Sequence, residues 1–224
     1  MGRRDPQPRL RGGLTPGPPG HTPAPSRSGL RKIHRMDHLD SVPSRRGTVI
    51  FLNGTSSSGK SSIARELLNA LDEPYFHMAV DSFHAMRANT PAAPEDLAVV
   101  LHRTWQGFHR AVAGMAAAGN NVVVDHVLSA RWRLLDCLAL LDPRDVVFVG
   151  VRCPLPELER RERARGDRPA GLAARQWEQV HAHGDYDVEC DTSVLDAKAC
   201  ARRITDFLPD RPSPTAFERL RARS

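Results

Sequence analysis

The sequence predicts an α/β fold, a parallel sheet with helices on both faces, and three observations carry that reading. Apolar runs without polar alternation recur at residues 49–52, 122–124 and 146–151, the pattern of strands buried on both sides. Amphipathic stretches of helical spacing separate these runs. A glycine-bounded loop joins the first run to the first helix. The chain is 40% hydrophobic and 26% charged, a globular balance, and no apolar run approaches the roughly 20 residues a spanning helix needs.

Residues 1–46 hold ten Lys and Arg against three Asp and Glu, a charge of +7, with eight of the 18 prolines. Such a segment cannot bury enough apolar surface to order itself, so it is expected to be a disordered basic tail, or a leader ahead of a start at Met36. No apolar stretch follows Arg3-Arg4, so no export signal is expected. Residues 47–224 carry −1, so the overall +6 argues for neither nucleic acid nor membrane as a partner. Cys137, Cys153, Cys190 and Cys200 form no C-x-x-C pair and are expected to be reduced thiols of a cytoplasmic protein.

One domain is expected over residues 47–208. Its first strand is 49–52, and Ile63, Leu67, Leu68 and Leu71 then share one helical face. Residues 76–80 form a second strand interrupted by His77. Pro94-Glu95-Asp96 opens a long helix that reaches about Ala118, with Gly119 placed to cap it. The run 122–124 ends in Asp125, and a helix over 134–141 precedes the strand at 146–151. Helices over 155–165 and 196–208 flank a weaker strand at 186–190. The 16 residues from Pro209 read as a fraying tail. Trp105, Trp132 and Trp177 lie in helical spacing and are expected to be packing residues.

Gly54-Thr55-Ser56-Ser57-Ser58-Gly59-Lys60-Ser61 fits G-x-x-x-x-G-K-[ST], a phosphate-binding loop. A chain of this length matches by chance roughly once in a hundred, and a buried strand before it and an amphipathic helix after it lower those odds. Backbone N–H groups from Gly54 to Ser62 would surround the phosphates of ATP, at the positive end of the following helix. Lys60 would reach the β- and γ-phosphates and Ser61 would ligate Mg²⁺. Asp125, ending a neighbouring strand, is the candidate second metal residue, acting through water.

No N-K-x-D specifies guanine, so a GTPase is not indicated. A small kinase needs a base for the acceptor hydroxyl and a basic lid. Asp81, after the second strand, is the candidate base. Five arginines, at 160, 161, 163, 165 and 168, suit a lid, with Arg152 just before. Some of them face water beside Glu157, Glu159 and Glu162; Arg161, Arg165 and Arg168 are the candidate catalytic residues.

The chain resembles the chloramphenicol phosphotransferase-like proteins. The likeness rests on Leu52-Asn53-Gly54 leading into Ser57-Ser58-Gly59-Lys60-Ser61, and on Val80-Asp81-Ser82, Val122-Val123-Val124-Asp125 and Gly150-Val151-Arg152-Cys153. Most specific are Arg165-Gly166-Asp167-Arg168 with Ala170-Gly171, then Gln176, His181 and Tyr186-Asp187-Val188-Glu189. The resemblance implies a P-loop fold with an adenylate-kinase-like five-stranded sheet in the order 2-3-1-4-5. It also implies transfer of the ATP γ-phosphate to a small-molecule hydroxyl, with Asp81 as base and Arg161, Arg165 and Arg168 on the phosphates. The acceptor it points to is chloramphenicol, an antibiotic-resistance activity. The family's strand-ending carboxylate is often doubled, whereas His126 follows Asp125 here, and the stretch 83–97 is short and of different composition. The acceptor therefore stays open between an antibiotic and a metabolic alcohol such as a sugar, a shikimate-like compound or a nucleoside. A nucleotide-binding regulator without transfer activity is the alternative from another class. His84 and His126 either line the acceptor site or are exposed loop residues. The oligomeric state is not readable.

Overall fold

The computed structural model describes residues 45–88, 93–165 and 171–224. The expected basic tail up to residue 44 and the candidate Arg168 lie outside the described residues. Five strands form one parallel sheet in the order β2-β3-β1-β4-β5, the order the resemblance implies. They are β1 Val49–Asn53, β2 Tyr75–Ala79, β3 Asn121–His126, β4 Val146–Arg152 and β5 Val188–Asp191. The helices are α1 Lys60–Ala70, α2 Val80–Ala85, α3 Pro94–Ala117, α4 Arg131–Leu140, α5 Leu155–Arg165, α6 Leu172–Val180, α7 Ala197–Phe207 and α8 Ala216–Ala222.

The period of two along each strand divides the core. Val49, Phe51, Val122, Val124, Val146 and Phe148 point to the face covered by α3, α4 and α8. Ile50, Leu52, Val123, Val147, Val149 and Val151 point to the face covered by α1 and α7. Every residue of the central strand β1 is buried, which explains its unbroken apolar run. No described helix is long and apolar enough to cross a membrane.

Within the fold, four departures from the sequence reading matter most. β2 pairs only with β3, so it is an edge strand, and Phe76 is half exposed rather than buried on both sides. Val80 opens α2 instead of closing that strand. On α1 the buried stripe is Lys60, Ile63, Ala64 and Leu67, which turns Leu68 outward. The largest difference is the C-terminus: the expected fraying tail contains α8, whose Ala216, Phe217 and Leu220 are buried against β4 and α4. Thr215 and Glu218 form a reciprocal capping box at its start. Asp187 bridges it to the sheet, accepting the Ala216 N–H at 2.6 Å and the Phe148 N–H at 2.8 Å. The compact domain therefore continues to the end of the chain.

Candidate active site

The chain turns directly from β1 into the phosphate loop. A Cβ on Gly54 would come within 2.4 Å of the Val151 carbonyl oxygen, and Gly59 caps α1 at φ 95°, a left-handed conformation that favours glycine. Lys60 Nζ is buried and donates to the carbonyls of Gly54 (3.0 Å) and Thr55 (2.7 Å), so the ammonium is held at the loop's mouth. Two outside residues brace the loop. The Ser56 N–H donates to Gln176 Oε1 on α6 at 2.8 Å, and Thr192 Oγ1 donates to the Ser58 carbonyl at 2.8 Å.

Asp125 and His126 are consecutive and face opposite sides of the sheet. Asp125 faces the loop: its Oδ2 accepts from Ser61 Oγ at 2.5 Å, and its Oδ1 lies 3.8 Å from Lys60 Nζ. His77 on β2 comes within 4.0 Å of the same carboxylate, a neighbour the sequence reading took only as an interruption of the strand. Ala79 is in register with Asp125, so β2 delivers Asp81, in the first turn of α2, to the same cleft. This cleft of about 70 Å³ is lined by Ser56, Ser57, Gly59, Lys60, Ser61, Ser62, Asp81, Asp125 and Arg165. It has the volume of about two waters, matching one phosphate group rather than a whole nucleotide. A larger cavity of about 640 Å³, behind residues 128–135 and lined by α4 and α8, contains no loop residue and none of the candidate catalytic groups.

The expected arginines separate. Arg165 lines the cleft. Arg161 instead braces the loop from below, donating to Thr192 Oγ1 (2.9 Å), the Thr192 carbonyl (2.7 Å) and Glu157 (2.7 Å). Arg160 pairs with Glu157 at the surface. Glu162 is buried, and its carboxylate accepts the Gly171 and Ala173 N–H groups at the start of α6, so it caps a helix rather than facing water. Arg152 pairs with Glu189, which accounts for two residues of the quoted motifs.

His126 is fully buried on the α3–α4 side, which excludes an exposed loop position. Asp136 Oδ2 lies 2.6 Å from His109 Nδ1, and His109 Nε2 lies 2.9 Å from His126 Nε2. Burial holds both imidazoles below their ordinary pKa range. The carboxylate can only accept, so neutral His109 donates from Nδ1 and accepts at Nε2. His126 then donates from Nε2, which leaves its buried Nδ1 as a lone pair with no partner. His84 packs edge-on against Trp105, and Arg133 lies 3.6 Å over the same indole. Trp105 and Trp132 therefore pack as expected, 6.1 Å apart. Trp177 does not: it is 43% exposed beside Thr55 and Arg152.

Beneath the loop, Asn53 ties three segments together. Its Nδ2 donates to the Val180 carbonyl (2.9 Å) and Tyr186 Oη (2.8 Å), and its Oδ1 accepts the Leu128 N–H (2.9 Å). Tyr186 also reaches His181 Nδ1 at 2.6 Å. Burial pushes the phenol pKa up and lowers those of His181 and His183 to about 4. Asn53 and His109 were not legible as site residues because each acts through partners distant in sequence, and Glu162 read as a water-facing partner of the arginines.

A strand–phosphate loop–helix unit in a 2-3-1-4-5 sheet, with an acidic strand end and an arginine over the loop, defines a phosphotransferase of the P-loop kinase fold. The model of the chloramphenicol phosphotransferase-like proteins matches residues 47–209, and the chain belongs to that family. A Mycobacterium tuberculosis protein named as a candidate O-phosphotransferase is 30% identical over 219 residues, covering 86% of this chain and 95% of the relative. Among solved structures, the M. tuberculosis APS kinase CysC with AMPPNP and APS superposes with a TM-score of 0.54 at 21% identity, over 74% of this chain and 99% of that one. A Janibacter sugar kinase gives 0.54 at 19% identity, over 75% and 97%. The Deinococcus radiodurans tunicamycin resistance protein gives 0.53 at 17%, over 73% and 96%. At these identities the three show the fold alone.

Proposed function

We propose that the protein transfers the γ-phosphoryl group of ATP to a hydroxyl of a small molecule, the reaction type of a chloramphenicol 3-O-phosphotransferase. One observation carries the reading: Lys60, Ser61, Asp81, Asp125 and Arg165 converge on a single phosphate-sized cleft. The loop's N–H groups hold the phosphates, and Lys60 exchanges its carbonyl partners for β- and γ-oxygens. Asp81 accepts a hydrogen bond from the acceptor hydroxyl, aligns it with the γ-phosphorus and takes its proton late, since a loose transition state demands positioning more than basicity. Arg165 neutralises charge developing on the transferring group, joined by Arg168; Arg161 contributes by holding the loop and reaches the phosphates when the lid closes.

Ser61 Oγ and Asp125 Oδ2, 2.5 Å apart at the start of α1, form the kind of hard oxygen pair that magnesium takes, so these residues fit that cation. Ser61 would hold it directly and Asp125 through water. When bound it supplies neutralisation of the phosphate oxygens. All four cysteines are free thiols, in keeping with a cytoplasmic setting.

Asp81→Asn tests the assignment. ATP affinity, read by titration with a fluorescent ATP analogue, is expected to stay within about twofold while turnover falls about 10²-fold or more. Equal loss of binding and turnover would move Asp81 from base to a structural or metal role.

A further inference from the structure

Helices α5 and α6 are tied to the phosphate loop in two different ways. From α5, Arg161 donates to Thr192, and Thr192 Oγ1 donates to the Ser58 carbonyl at 2.8 Å. From α6, Gln176 Oε1 accepts the Ser56 N–H at 2.8 Å. The second tie engages a backbone donor of the loop, the kind of group that elsewhere in the loop recognises phosphate. Ser56 lines the phosphate-sized cleft and Gln176 does not, so a phosphate fits there with the tie intact.

The two ends of α6 are held as well. At its start, Glu162 of α5 accepts the Gly171 and Ala173 N–H groups at 2.8 and 3.0 Å. Leu158, Cys153 and Ala173 form a small core that packs the two helices together. At its end, the Val180 carbonyl accepts from Asn53 Nδ2 at 2.9 Å, directly before the loop. Glu162 precedes Arg165 by one turn, so the two neighbour each other on α5. Arg165 lines the cleft from the end of that helix. A continuous set of contacts therefore runs from the loop through Gln176 to α6, and through Glu162 to the arginine above the phosphate position.

We propose that Gln176 is a positioning residue for the transferring phosphate. Through the Ser56 amide it seats α6 on the loop, and through Glu162 the seated helix aims Arg165 at the phosphate beside Asp81. This rests on the kinase reading above and adds that the Ser56 N–H belongs to the lid, not to ATP. Removing the tie leaves Lys60 and the other loop amides in place, and these suffice for the α- and β-phosphates. What is lost is recognition of the third phosphate, so ADP and an ATP analogue should respond differently.

Gln176→Met tests this in the full chain, because methionine matches glutamine in length and helix propensity but offers no carbonyl oxygen to the amide. Competition against a fluorescent ADP analogue, with magnesium present, gives the affinities for ADP and for AMPPNP. The native chain is expected to bind AMPPNP about tenfold or more tightly than ADP. Gln176→Met should leave ADP within about twofold, which also shows that the variant is folded, and reduce the preference for AMPPNP to about threefold or less. Arg165→Gln should do the same. The double variant should lose no more than about twofold beyond Arg165→Gln alone, since both changes remove one shared interaction. Equal losses for ADP and AMPPNP would reduce Gln176 to a brace of the loop and overturn the proposal. Losses that multiply in the double variant would separate Gln176 from Arg165 and overturn it too. So would an unchanged preference in Gln176→Met, or a native chain that binds the two nucleotides alike. Each of these results leaves the kinase reading standing; a native chain that binds neither nucleotide would remove that reading and the proposal with it.

Discussion

The two faces of the sheet are packed from different materials. Against α1 and α7 the fully buried residues are aliphatic or cysteine, without a single aromatic ring. Against α3, α4 and α8 the core contains Phe51, Phe108, Phe148 and Phe217, with His109 and His126 buried among them. The plain face carries the phosphate loop, where backbone N–H groups provide most of the recognition and the core need only hold α1 against β1. The ring-rich face packs α2 through Val80 and Phe83, and that helix delivers Asp81 to the cleft.

Breaking the ring-rich face has the largest expected effect. Phe217 is fully buried between Phe51 and Phe148, with centroids at 6.0 and 5.0 Å. Phe217→Ala should cost about 3–5 kcal/mol, read from urea unfolding. A loss below about 1 kcal/mol would mean that the C-terminal helix is not part of the cooperative core. On the plain face, Lys60→Ala should leave the fold intact and reduce turnover about 10²–10³-fold, with weaker nucleotide binding. Retention of full activity would remove the phosphate-loop assignment.

Acid should also distinguish the faces. His181 and His183 adjoin Tyr186, which packs on the ring-rich side, and titrate near 4 in the fold. In the unfolded chain they titrate near 6.5, so between pH 6.5 and about 4 the unfolded state binds more protons. Their contribution is complete above pH 6.5, declines as pH falls through that window, and changes no further below 4. Allowing for partial exposure, about 1–2 kcal/mol per ring is expected. Thermal melting of His183→Gln should fall less steeply from pH 7 to 4 than that of the native chain.

The contrast between the faces also explains what could be read in advance. The loop is one continuous segment, so its spacing revealed it, and β1, β3 and β4 are buried on both sides, so their runs stood out. Asp81 and Asp125 were legible because each directly follows an apolar run in the sequence. The buried ring cluster on the other face draws Trp105 and His109 from α3, His126 from β3, and Arg133 and Asp136 from α4, residues that meet only after packing. No motif encodes such a meeting. The C-terminal helix was missed for another reason: Pro209, Pro212 and Pro214 suggested a tail, and only Thr215 with Glu218 ahead of Leu220 signalled a capped helix.

The smallest expected effect falls on the plain face, and its smallness is informative. Ser58 sits inside the loop, yet its hydroxyl is buried without a partner and does not line the cleft. Its structural role runs through the carbonyl that accepts from Thr192 Oγ1, which alanine also supplies. Ser58→Ala should therefore change kcat/KM for ATP less than about threefold and leave stability within about 0.5 kcal/mol, or raise it slightly. A tenfold loss would show that the loop recognises phosphate through this side chain as well as its main chain. The plain face would then depend on side chains as well as backbone, and differ less from the ring-rich face than the two cores suggest.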